Sequence, residues 1–152
     1  GHHFDAEGIK VIEFAQSGLK PLVKFARRMG IAWHVLVDGD EAGKKYAATV
    51  RSLLDNDKAQ EREHLTVLPA LDMEHFMYRQ GFADVYHRVA ELPEGIRMNE
   101  RRVIIKAIHR ASKPDLAIEV ALEAGRRGVE AVPPLLRSMF SRVLWLARGR
   151  AD

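Results

Sequence analysis

The sequence predicts an α/β fold, a parallel sheet flanked by helices and followed by a helical C-terminal part. Three observations predict it. Apolar spacing switches between strand and helix periods along roughly the first 70 residues. The run IAWHVLVDGD at 31–40 is mostly apolar on both alternating faces, as in a strand covered on both sides. From Asp72 onward only helical spacing remains.

Taken in order, GIKVIEFA at 8–15 alternates through Ile9 and Val11 towards Phe14 and reads as a first strand, broken by Ser17 and Gly18. LKPLVKFARRMG follows with helical spacing, and Gly30 is placed to end it. IAWHVLVDGD is the second strand, and EAGKKYAATVRSLLDN carries Ala42, Tyr46, Val50, Leu53 and Leu54 on one helical stripe. HLTVLP at 64–69 is a third strand stopped by proline. This β-α-β-α-β order implies parallel strands joined by crossovers. Residues 72–90 form a helical stretch with a break at Gly81, and ELPEGIRMN is a turn-rich linker. RRVIIKAIHRAS, KPDLAIEVALEAGRRG and VPPLLRSMFSRVLWLARG complete the chain as three helices, the last two with proline near their starts. The organisation is an α/β core over residues 4–80 and a helical part over 81–152.

With 152 residues, 47% apolar and 30% charged, the chain is long enough to bury a core and too apolar for disorder. It has no cysteine, which removes disulfides and cysteine-ligated zinc. No apolar run approaches the roughly 20 residues that span a bilayer, and GHHFDAEG lacks the features of a secretory signal. A cytoplasmic location without membrane attachment is expected. Gly1 to His3 read as a tag remnant with no chemical weight. The net charge of +3 is unevenly spread: residues 1–96 hold 12 basic and 15 acidic groups, a balance of −3, and residues 97–152 hold 12 and 6, a balance of +6. A basic half beside an acidic half fits an anionic polymer near a metal site.

The candidate chemistry gathers where strands end, which is where open α/β sheets bind ligands. Asp38 and Asp40 follow an apolar strand, and on a strand residues i and i+2 share a side. Gly39 lets the backbone bend between them. Paired carboxylates repel unless an oxygen-ligated divalent cation holds them together. VLPALDMEHF places Asp72 and Glu74 beyond another strand end. Neighbouring strands would set these four acids side by side, a set suited to one or two magnesium ions and in-line attack on phosphate. Asp72 also fits the cap of the next helix. DGDEAG does not complete a calcium loop, since Ala42 and Thr49 stand where ligands are required. A phosphatase with an aspartate nucleophile is disfavoured by the Glu41 and Ala42 that follow. His34 reads as a packed or edge-exposed strand residue rather than a ligand. Lys113, after a capping Ser112 and before Pro114, opposes its helix dipole; it is either an exposed loop lysine or one whose cost a phosphate bound there would offset.

Together the strand-DGD-helix unit, the later DME and the SKP lysine resemble the TOPRIM domain of the OLD (overcoming lysogenization defect) family of ATP-dependent endonucleases. The likeness covers residues 8–152. It implies a TOPRIM-like sheet that lacks its first strand and helix here, and a DNA endonuclease hydrolysing phosphodiesters at a two-metal Mg²⁺ or Mn²⁺ site. By motif, Asp38, Asp40, Asp72 and Glu74 are the implied metal ligands, and Lys113 would stabilise charge on the scissile phosphate. Asp38, Asp40, Glu74 and Lys113 form the implied catalytic set. The implied partners are DNA, an N-terminal ATPase domain of the same parent protein and a second copy in a homodimer; ATP would bind only at that ATPase domain. One departure is plain: the family's glutamate in a motif like LVEG has no counterpart in this chain. Arg101, Arg102, Arg126 and Arg127 are candidates for phosphate contacts. The alternatives are a non-catalytic metal- or DNA-binding assembly module, separated by metal-dependent cleavage, and a topoisomerase- or primase-type TOPRIM domain. The latter is disfavoured because no tyrosine stands in a nucleophile context.

Overall fold

The computed structural model describes residues 4–93 and 95–149, with the side chain of residue 16 left aside. Gly1 to His3, read above as a tag remnant, lie outside the described residues. The chain is mostly helical around a small parallel sheet, an α/β arrangement. Strand β1 (Val35–Val37) pairs in parallel with β2 (Leu65–Val67), in the register Val35↔Leu65 to Val37↔Val67. Two compact units contain the described residues. One gathers the residues up to Val67 with those from Leu135 onward, and the other spans Leu68–Pro134. The sequence-based division at residue 80 marks a change in chain chemistry, whereas contacts divide the chain just after β2.

In the first unit, α1 (Leu19–Arg28) and α2 (Glu41–Leu53) pack against each other, and α2 also packs on both strands. Leu19, Val23, Val35, Val37, Ala47 and Val50 form its core. Each buried leucine or valine among them contributes about 1.5–3 kcal/mol. Helix α8 (Pro134–Ala147), apart from its first residue, belongs to this unit. Its Phe140 meets Phe4 edge-on at 5.8 Å.

Two expectations need correction here. Residues 9–15 form no strand. Val11 and Ile12, adjacent in the run, are 78% and 64% exposed, so neither is buried. Alternation is a local signal, but a strand exists only when a neighbour bonds its backbone. Phe14 still packs on the core, edge-on to Tyr46 at 4.9 Å. A helix not foreseen, α3 (Lys58–His64), fills the stretch before β2. Asp57 starts it by accepting the N–H groups of Ala59 and Gln60.

The second unit holds α4 (Met73–Met77), α5 (Ala83–Val89), α6 (Glu100–Ala111) and α7 (Lys113–Arg127). Helices α5, α6 and α7 pack on one another, and α4 packs on α6. Phe82, Val85, Tyr86, Val103, Ile104 and Leu116 are buried among them. The break expected at Gly81 is present, with φ 104 inside a widened turn at Tyr78–Phe82. The linker at 91–99 carries no regular element among its described residues.

Candidate functional site

In the first unit the acidic pair arises from how a strand turns into a helix. Strand β1 stops at Val37, Asp38 follows exposed, and Asp40 is half-buried. Asp40 is the N-cap of α2: its Oδ1 accepts the Gly43 N–H at 2.7 Å. Strand alternation therefore does not relate the two aspartates, because the chain has left the strand before Asp40. They are adjacent through a cap turn instead. Gly43 fixes that turn. A Cβ built on it would lie 1.8 Å from the Asp38 carbonyl oxygen and 2.5 Å from its carbonyl carbon. The first turn of α2 thus seats directly on the Asp38 backbone, a fit open to glycine alone. In DGDEAG the second glycine matters as much as the acids.

The flank of the sheet is held by histidines. His34 Nδ1–H donates to the Glu63 carbonyl at 2.7 Å, which leaves Nε2 to accept the Thr66 hydroxyl at 2.8 Å. His64 Nδ1–H donates to the Trp33 carbonyl at 2.9 Å and its ring stacks on Trp33. His34 is part-buried, with both ring nitrogens engaged in these hydrogen bonds.

In the second unit, Asp72 caps α4. Its Oδ1 accepts both the His75 backbone N–H and the His75 Nδ1–H, each at 2.8 Å. Burial pushes the Asp72 carboxyl up, but these two bonds and the His75 charge outweigh it and hold the carboxyl below the usual aspartate range. The helix starts from this double bond, as the capping alternative foresaw. Glu74, two residues on, reaches Lys113: Oε1 lies 3.7 Å from Nζ. The glutamate is mostly buried and the lysine mostly exposed. Lys113 opens α7 directly after Ser112, whose Oγ accepts the Asp115 N–H at 3.4 Å. Ser112 holds φ 75 and ψ 158, a region that glycine favours and that costs another residue about 1–3 kcal/mol. Tyr86 is buried in the same unit. Burial, then the negative charges of Glu74 and Asp72, push its hydroxyl well above the usual tyrosine range.

The second unit therefore brings Glu74 and Lys113 together, with Asp72 turned onto His75. His75 and Tyr86 were not singled out as members. The D-x-x-H spacing of a cap was a signal for the first, and nothing local signalled the second. Of the candidate arginines, Arg101 and Arg102 are exposed and make no ion pair among the described residues. Arg126 pairs with Glu123 at 3.4 Å. Arg127 does not stand ready for phosphate. It donates to the Gly81 carbonyl at 2.7 Å and to both Asp84 oxygens at 2.8 Å, and it lies over the Phe82 ring.

Among the described residues, no group of three or more His, Asp or Glu side chains is gathered to hold a metal ion. The donor chemistry nonetheless suits one: magnesium commonly takes one or two carboxylates and fills its other positions with water and substrate phosphate. Asp38 and Asp40 at the strand end fit that count. No helix among the described residues is long and apolar enough to cross a membrane.

Comparison with known proteins adds two findings. The sequence model of the family described as overcoming lysogenization defect protein-like, TOPRIM domain, matches residues 1–40. The matched stretch ends on Asp40 and contains both aspartates of the DGD turn. The chain is also 84% identical, over all of its 152 residues, to an uncharacterized Escherichia coli (strain K12) protein, YbjD. It spans 28% of that relative's length. No solved structure matches.

Proposed function

We propose that the chain is part of a metal-dependent DNA endonuclease of the TOPRIM type, hydrolysing phosphodiesters within a larger protein. The observation that carries this reading is the pairing of Glu74 with Lys113 at 3.7 Å, two residues remote in sequence and both singled out by chemistry. The match that ends on Asp40 supports it from the other unit. Asp38 and Asp40 would hold Mg²⁺ or Mn²⁺, and Glu74 and Asp72 are the candidate acids of the second unit. Bound metal supplies polarisation of a phosphate oxygen and an activated water. Asp40 uses Oδ1 for its cap, and Oδ2 is not needed for that bond. Lys113, tethered by Glu74, is a positive charge held at one place and offsets charge that builds on a phosphate oxygen. Arg101 and Arg102 contact the DNA backbone without reading its sequence. An ATPase domain belongs to the parent protein in this reading.

The test is nicking of supercoiled plasmid in Mn²⁺ and Mg²⁺. It uses the chain itself and the chain placed in its matching segment of the whole Escherichia coli relative. Asp40→Asn is the sharp control, because asparagine still accepts the Gly43 N–H while losing the charge. Stability should hold, whereas Asp40→Ala should lose about 1 kcal/mol with the cap. Metal-dependent nicking that Asp40→Asn and Lys113→Met each reduce at least about a hundredfold is the expected result. Nicking that persists in folded Asp40→Asn, or inert protein in both contexts, overturns the assignment.

A further inference from the structure

Helix α7 buries Leu116 and Val120 and turns its opposite face to solvent. At 100° per residue, Ile118, Ala121, Leu122 and Gly125 fall on that face in one stripe. Ile118 is 56% exposed and Leu122 57%, and Val129 just beyond the helix is 72% exposed. Space beside Gly125 is open. A hollow of about 360 Å³, lined by Arg88, Glu119, Leu122 and Arg126, adjoins the stripe. Single apolar residues at a surface need no explanation, but two large ones at i and i+4 over small neighbours form a ridge that fits a second helix.

Charge says which helix. Asp115 and Arg126 are separated by about three turns and lie on the same flank of the stripe. Asp115 makes no ion pair among the described residues, and the mostly exposed Arg126 reaches only Glu123 within its own helix. An identical helix laid antiparallel about a two-fold axis brings Asp115 of each copy against Arg126 of the other, twice over. Parallel alignment about a two-fold axis would leave these flanks on opposite sides of the seam and pair neither charge. Antiparallel pairing also opposes the two helix dipoles favourably, and the contact is self-complementary, as a two-fold interface requires.

We propose that α7 pairs with α7 of a second copy of this chain, antiparallel, with Ile118 and Leu122 in the seam and Asp115–Arg126 pairs closing both ends. This assembly does not depend on the nuclease reading. Sedimentation equilibrium of the chain over a range of concentrations tests it. The expected result is a reversible dimer that Leu122→Glu converts to monomer. Asp115→Arg and Arg126→Asp should each weaken the dimer roughly tenfold, since two pairs are lost and two repulsions created. The double variant restores pairing with reversed sign and should return the affinity. All three charge variants alter exposed side chains, and circular dichroism confirms their folding. A monomer at every concentration overturns the proposal and leaves the face to another part of the parent protein or to a different partner. A dimer indifferent to Leu122→Glu, or a double variant as weak as the single ones, also overturns it.

Discussion

Gly43 shows how much one hydrogen atom decides. Its Cα hydrogen occupies the place where any other residue would press a carbon onto the Asp38 carbonyl, at 1.8 Å. Backbone cannot swing aside as a side chain can, so the whole first turn of α2 must move. Gly43→Ala should therefore destabilise by about 2–3 kcal/mol. In urea denaturation the midpoint should fall with little change in slope. A midpoint like that of the parent chain would show that the turn relaxes freely. The same substitution displaces Asp40, whose cap bond ends on the Gly43 N–H. At this scale the acidic pair is a folding feature first, and its chemistry is built on that.

At the scale of elements, a sheet of two three-residue strands is too short to stand on ladder bonds alone. Side chains brace it, and His34 is the brace with a pH dependence. Burial lowers its pKa from the ordinary 6.5; the bond to the Glu63 carbonyl opposes this, and the charges of His64 and Arg142 add to the lowering. The unfolded chain then binds a proton at His34 more readily than the folded one. The stabilisation is full above the ordinary histidine value and is lost as pH falls through the lower folded value. Between about pH 7 and 5 the parent chain should lose more stability than His34→Gln in matched urea titrations. Parallel curves would remove His34 as the source. In the second unit the corresponding device is Arg127, which ties the kink at Gly81 to Asp84 and Phe82. That explains an arginine whose position near other basic residues suggested phosphate binding.

For the whole molecule, the balance of +6 over residues 97–152 becomes informative only once paired and unpaired cations are told apart. Arg110 is engaged with Glu91, Arg126 with Glu123 and Arg127 with Asp84, whereas Arg101 and Arg102 on α6 have no such partner among the described residues. If DNA lies on this basic part, its affinity falls with salt, and replacing both Arg101 and Arg102 by alanine should lower the log–log slope by about 2. Arg127→Ala should leave the slope unchanged, because its charge is already neutralised in the free protein. Fluorescence anisotropy with labelled DNA over a salt series measures both. Equal slopes for all three proteins would show that α6 does not hold phosphate.

What the sequence determined by itself is what short-range physics controls. Apolar spacing gave α1, α2, α6, α7 and α8, and turn chemistry gave the Gly81 break and the 91–99 linker. The caps at Asp72 and Ser112 were also legible, because each rests on contacts within four residues. Asp40 was legible as a candidate ligand but not as a cap, and α3 was missed although Asp57 stood at its start. Only the tertiary structure decided whether 9–15 would find a strand to bond. It likewise decided that Glu74 would meet Lys113, that Arg127 would be consumed by a kink, and that Gly43 would touch the Asp38 backbone. Each of these depends on which separate segments the packing brings within a few ångströms, and periodicity along one chain carries no record of that.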